Sequence, residues 1–199
     1  MSGLCPLQVI TGGGEVLRDE QIYLAHKAAH PTAYPPCPDI LARNGDTQED
    51  IARYPPTDVQ LLVFDDCPHV APVLGHTRGA KFEHRAISQF AAWALARAQG
   101  VEVGTVGGNF VREGKEPFVS RAGDPIPPFV DHMIRQHVDR EGRLYPMKPA
   151  EEIRACTFSN EEIGWPKEKA LKGWIEYRKE VDRKYSAEKK KGEPWPDVV

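Results

Sequence analysis

Apolar positions fall in short runs near the start of the chain and become helical in spacing further on. Leu7-Gln8-Val9-Ile10 is a β-prone run closed by Gly12-Gly13-Gly14. From Leu17 to Ala29, apolar residues at Leu17, Ile22, Ala25 and Ala29 predict a helix with one inner face. Residues 30–58 carry Pro31, Pro35, Pro36, Pro38, Pro55 and Pro56, which exclude a continuous helix or a central strand, so the segment reads as a loop. Val59-Gln60-Leu61-Leu62-Val63-Phe64 is the strongest strand pattern in the chain. Asp65 to Gly79 reads as a loop. Ala80 to Gln99 reads as a long helix, with Phe82, Ala86, Ile87, Phe90, Ala94 and Leu95 on or near one stripe.

Strands alternating with helices imply an α/β fold with a parallel sheet and right-handed crossovers. Parallel sheets are buried on both faces, and two strands cannot make one. More strands are therefore wanted beside 7–10 and 59–64, and the pattern after residue 100 predicts none. That half begins loosely at Gly104, Gly107 and Gly108. Phe129, Val130, Met133, Ile134, His137 and Val138 have helical spacing, which predicts a short helix over 128–138. Ser159 with Glu162 resembles a capping box, and Pro166 suits a first helical turn. Leu171, Trp174, Ile175, Arg178, Val181 and Tyr185 predict a terminal amphipathic helix, with Lys189-Lys190-Lys191 as its solvated end. The organisation expected is an α/β part over 1–100 and a mainly helical or irregular extension over 101–199. Sheet edge and apolar face left open by two strands predict self-association.

Composition narrows the function classes. Of 199 residues, 40% are hydrophobic, and 26 Lys and Arg nearly balance 29 Asp and Glu. That balance calls for neither a nucleic-acid partner nor a charged membrane surface. The most apolar long stretch, Ile87 to Ala98, is interrupted by Ser88, Gln89 and Arg97, and is too short to span a bilayer. Met1 to Cys5 has no basic residue and does not read as a secretory signal. The cysteines Cys5, Cys37, Cys67 and Cys156 form no C-x-x-C pair and read as free thiols of a reducing compartment.

The candidate chemistry lies after the two strands. His69 stands five residues beyond Phe64, and Glu15 five residues beyond Ile10. Ligands of open α/β sheets bind outside the carboxyl ends of the strands, where a histidine can serve as a general base. If the strands are parallel neighbours, Glu15 can meet His69, fix its tautomer and stabilise its charged form. Asp66 and, more distantly, Asp19 are rival acids. A satisfied loop histidine and a helix-end acid are the plainer alternatives for the two residues taken singly. Gly12-Gly13-Gly14 is neither a dinucleotide fingerprint, since Leu17 stands where a third glycine is needed, nor a P-loop, lacking G-K-[ST]. Asp65, Asp66, Cys67 and His69 match no established zinc spacing. Cys67 lies too close in sequence to His69 to be a well-placed nucleophile.

Gly12-Gly13-Gly14-Glu15-Val16-Leu17-Arg18-Asp19-Glu20, followed by Tyr23-Leu24-Ala25, resembles the acid motif G-x-x-D-P-L-R-D-E of the hormone-sensitive-lipase-like branch of the α/β-hydrolases. The strand at 59–64, its loop and the helix at 80–99 resemble that branch's histidine segment and closing helix. The resemblance covers residues 6–99. It implies the last two strand-helix units of a mostly parallel α/β-hydrolase sheet, with Glu15 as triad acid and His69 as triad base. It also implies a small-molecule ester as substrate and no cofactor. Glu15 stands where the family usually has Asp, and His69-Val70-Ala71 where it often has H-G-F. The nucleophile elbow G-x-S-x-G is absent: none of Ser2, Ser88, Ser120, Ser159 and Ser186 has glycines at both flanking positions. The expectation is a partial carboxylic-ester hydrolase, inactive alone. The alternative is a non-enzymatic half-domain that binds a partner or is a partial gene product.

Overall fold

The computed structural model describes residues 3–101 and 121–157, together with Lys172, Ile175, Glu176, Lys179, Glu180 and Arg183. Met1–Phe158 and Ser159–Val199 form two separate units. In the first, a four-stranded sheet of order β1-β2-β3-β4 is built from Leu7–Gly12, Val59–Phe64, Met133–Val138 and Leu144–Pro146. β1, β2 and β3 are parallel, and β4 is antiparallel to β3. Helices Arg18–Ala29 (α1), Pro38–Asn44 (α2), Gln48–Ala52 (α3) and Arg78–Ala98 (α4) complete the unit, with a 3-10 turn at Ala71–Val73.

Every residue of β2 is buried, as a central parallel strand requires. Its alternation sorts two cores. Leu61 and Val63 join Val9, Ile22, Ala25 and Met133 in the first. Leu62 and Phe64 join Ala86, Ala122 and Val138 in the second. α1 packs closely because Ala25, Ala28 and Ala29 are wholly buried and carry no bulk. α4 is capped by Thr77, whose Oγ1 accepts the Ala80 amide at 3.2 Å.

The predicted helix over 128–138 is instead β3. Asp131 and His132 have φ of +48° and +59°, which no α-helix continues through. Beyond them, Met133 and Ile134 enter cores on opposite faces of the sheet, the period-two pattern of a strand beside β2. The expectation of no strand after residue 100 is therefore corrected. The sheet takes its third and fourth strands from what was read as the extension, and the unit containing it runs to Phe158. Two smaller corrections concern helix faces: Leu17 is exposed, and Ile87 and Leu95 point largely to solvent, while Ala86 and Phe90 are buried.

Within the proline-rich segment 30–58 lie α2 and α3. Pro38 occupies the first turn of α2, and Gly45 (φ +75°) ends it. Thr47 and Asp50 form a capping box at the start of α3. In the second unit the described residues Lys172, Ile175, Glu176, Lys179, Glu180 and Arg183 are helical where a terminal helix was expected. Ser159, Glu162, Pro166 and the lysines 189–191 lie outside the described residues. No helix among the described residues is long and apolar enough to cross a membrane.

Candidate active site

The turn after β1 and the loop after β2 are locked together by backbone. The Gly13 amide donates to Phe64 O at 2.7 Å, and the Gly14 amide to Cys67 O at 3.1 Å. This closeness requires glycine at position 12: a Cβ there would lie 2.2 Å from the Cys67 carbonyl oxygen and 2.6 Å from that of Pro68. The register brings Gly12 opposite Phe64, so both segments leave the sheet at the same edge.

On this frame Glu15 and His69 meet. His69 Nδ1 lies 2.7 Å from Glu15 Oε2. A carboxylate oxygen accepts, so Nδ1 carries the proton, and in the neutral ring the lone pair is on Nε2. Glu15 Oε1 accepts the Thr11 hydroxyl at 2.6 Å. Both carboxyl oxygens are thereby engaged in a side chain only 2% exposed, while His69 is 56% exposed. The Nε2 of His69 has no hydrogen-bond partner among the described residues. One nitrogen is anchored on a buried acid, and the ring faces open space.

The rival acids are held elsewhere. Asp66 receives both Nε and Nη2 of Arg140, at 3.1 and 2.9 Å. Asp19 accepts Arg18 Nε at 2.8 Å. Asp65 takes His137 Nδ1 at 3.1 Å. Asp65, Asp66 and His69 thus serve three different partners rather than converging on one point. Burial pushes the Cys67 thiol up, helped by the charges of Glu83, Asp66 and Asp65, which opposes thiolate chemistry. Val70, just after His69, adopts φ +49° and ψ +42°, a left-handed conformation that is costly for a β-branched residue.

No family model, no curated protein and no solved structure matches this chain.

Three neighbours of the pair escaped the sequence reading. Thr11, just past the expected strand at 7–10, was given no role. His137, which forms another imidazole–carboxylate pair with Asp65, sat in a stretch read as helix. Glu83 is 1% exposed, and its carboxyl is pushed up to about 7 by burial first and by the Glu15 charge second. Its position was a readable signal. Ala80, Glu83, Ala86 and Phe90 are the buried residues of α4, a stripe at helical spacing in which an acid is out of place.

Chemically, a half-exposed imidazole whose Nδ1–H is fixed by a buried carboxylate is equipped to take a proton at Nε2 and give it back. An open cleft of about 850 Å³ adjoins the same sheet edge, lined by Gly13, Gly14, Arg18, Asp65 and His137 among others. Glu15 and His69 stand outside that lining.

Proposed function

We propose that this chain is the acid-and-histidine part of a carboxylic-ester hydrolase of the α/β-hydrolase type, in the hormone-sensitive-lipase-like branch. In this reading β1 and β2, with α1 and α4, are the last two strand-helix units of that fold. The observation that carries it is the 2.7 Å hydrogen bond from His69 Nδ1 to the buried Glu15, made by loops that follow two adjacent parallel strands. The order of acid before histidine and the L-R-D-E run after Glu15 agree with it.

The serine comes from polypeptide outside these 199 residues. Its hydroxyl attacks the ester carbonyl while His69 Nε2 takes the proton and passes it to the leaving alcohol. Water then repeats the cycle on the acyl-enzyme. Glu15 keeps Nδ1 protonated and offsets the imidazolium charge, and a glutamate does this as well as an aspartate.

Two measurements test the reading. The 199-residue chain, incubated with a serine-directed phosphonate, is expected to remain unlabelled by mass spectrometry; stoichiometric label on any serine refutes it. The coding sequence upstream of Met1 is expected to continue in frame through a G-x-S-x-G motif. In the longer protein, His69→Ala lowers kcat by about 10⁴–10⁶-fold and Glu15→Gln by the same or less. An upstream frame without the motif, or a His69→Ala protein of unchanged kcat, overturns the proposal.

A further inference from the structure

At the opposite edge of the sheet, beside the amino ends of the strands, lies another cavity. α1 leaves the Glu15 turn and runs back along the sheet, so its last turn, with His26 and Ala29, stands at that edge. There it faces the approach to β2 at Pro56 and the approach to β3 at Val130 and Asp131, around a space of about 720 Å³. Volumes of about 300–1,000 Å³ are usual for small-molecule sites. Tyr34, Tyr54, Pro31 and Pro56 supply flat, largely apolar walls.

One group in this lining is out of place. Met133 and Arg135 are two apart in β3 and so face the same side of the sheet, the side on which Met133 joins the core packed under α1. A guanidinium is rare at such a position and costly there without a counter-ion. Arg135 is half-buried. Among the described residues it makes no ion pair, and its side chain bonds only a neutral group: Nη1 donates to His26 Nε2 at 3.4 Å. His26 is 1% exposed, and its Nδ1 lies 2.9 Å from the Ile22 carbonyl oxygen. That oxygen only accepts, so Nδ1 carries the proton and Nε2 presents a lone pair to the guanidinium. Burial first, and the Arg135 charge further, hold the His26 pKa below its ordinary value, which keeps the ring neutral. His26 therefore orients Arg135 without neutralising it. The acids of the lining do not neutralise it either. Asp131 Oδ2 is taken by His30 Nε2 at 3.1 Å, and Glu151 is exposed and forms no ion pair with Arg135.

We propose that this cavity is a binding site for a small, flat monocarboxylate, with Arg135 as its anchor. The guanidinium fork matches a carboxylate in two parallel N–H···O bonds. The tyrosine and proline walls accommodate an aromatic body beside it. Burial pushes the Tyr34 hydroxyl up to about 12, so it stays protonated and able to donate at neutral pH. The negative charges of Asp131 and Glu151 in the same lining disfavour a phosphate dianion, which adds repulsion with its second charge. The site is independent of the hydrolase reading. Glu15 and His69 follow the carboxyl ends of β1 and β2, whereas Pro56 and Val130 precede the amino ends of β2 and β3.

The test titrates benzoate into the full 199-residue chain, with benzamide as its uncharged isostere and inorganic phosphate as the dianion. Binding is followed by the ¹⁵N–¹H signal of Arg135 Nε and the ring signals of His26. Benzoate is expected to shift both and to saturate with a Kd of about 0.1–5 mM, as suits so small a ligand. Benzamide is expected to bind at least about 10-fold more weakly, and Arg135→Gln to weaken benzoate by about 10–100-fold, since each removes a charge-assisted pair. Arg135→Lys, which keeps the charge and loses the fork, is expected to fall between wild type and Arg135→Gln. Benzoate that does not saturate, benzamide that binds equally, shifts confined to signals away from Arg135 and His26, or Arg135→Gln that binds as tightly as wild type overturns the proposal. Phosphate that binds as tightly as benzoate overturns the choice of a carboxylate. Should Arg135→Gln not fold, the comparison of benzoate with benzamide on the wild-type chain decides by itself.

Discussion

Replacing Glu83 by glutamine isolates the energetic consequence of burying an acid. The wild-type carboxyl titrates at about 7, against 4.5 for an ordinary glutamic acid, chiefly because burial penalises the charged form and next because Glu15 is nearby. The group is raised in the folded state, so the native protein binds this proton more tightly than the unfolded chain does. Its contribution to stability is complete below pH 4.5 and is lost progressively up to about pH 7. At about 1.4 kcal/mol per unit, the rise corresponds to a loss on the order of 3 kcal/mol. Glutamine is neutral throughout and keeps the shape. The two proteins are expected to be of similar stability near pH 4.5, and Glu83→Gln about 3 kcal/mol more stable at pH 8.5. With urea dependences of ~1–3 kcal/mol/M, this displaces the midpoint by about 1–3 M at the higher pH. Urea unfolding followed by tryptophan fluorescence across pH 4.5–8.5 measures it. A stability difference that is constant across that range would refute the reasoning, because a lost contact has no such pH dependence.

Gly12→Ala is expected to destabilise the first unit by about 2–3 kcal/mol, since the new Cβ would meet the Cys67 and Pro68 carbonyls; the same urea titration measures it, and the ¹⁵N chemical shift of His69 Nδ1 should move with it. Val70→Gly relieves a left-handed conformation in a side chain that is 55% exposed and packs little, so a gain of about 1 kcal/mol is expected. A loss would show that Val70 has a packing role. Among the described residues β1 has no strand on its outer edge, and Val16 beside it is 96% exposed. Sedimentation velocity on the isolated chain should show concentration-dependent association, and Val16→Lys should weaken it.

The sequence was most legible where local pattern and tertiary demand agree. Val59 to Phe64 could be read as a central strand because both faces of it are buried, and the loops after β1 and β2 could be matched because parallel strands end at one edge. That topology is what led to the expectation that Glu15 and His69 meet, and a hydrogen bond joins them. Phe129, Met133, Ile134 and His137 misled because a strand buried on both faces also places apolar residues three and four apart, and only the left-handed backbone at Asp131 and His132 separates the two. α2 and α3 were readable from Pro38, Gly45 and the Thr47–Asp50 box, signals outweighed by the surrounding prolines. Arg140, which occupies Asp66, lies 74 residues away from it in sequence, and nothing local announces such a partner.

The hydrogen bond between His69 and Glu15 closes a loop of 54 residues. Its chain-entropy cost depends on the logarithm of that length, so even doubling the connection adds only ~0.6 kcal/mol. Gly45, with an αL backbone and no atom within 4 Å of a would-be Cβ, marks a point where the connection faces outward and carries little. The separation between Glu15 and His69 along the chain is therefore a nearly free variable. Insertions of whole segments near Gly45 are expected to leave the Glu15–His69 hydrogen bond intact, while a single methyl group at Gly12 is expected to disturb it.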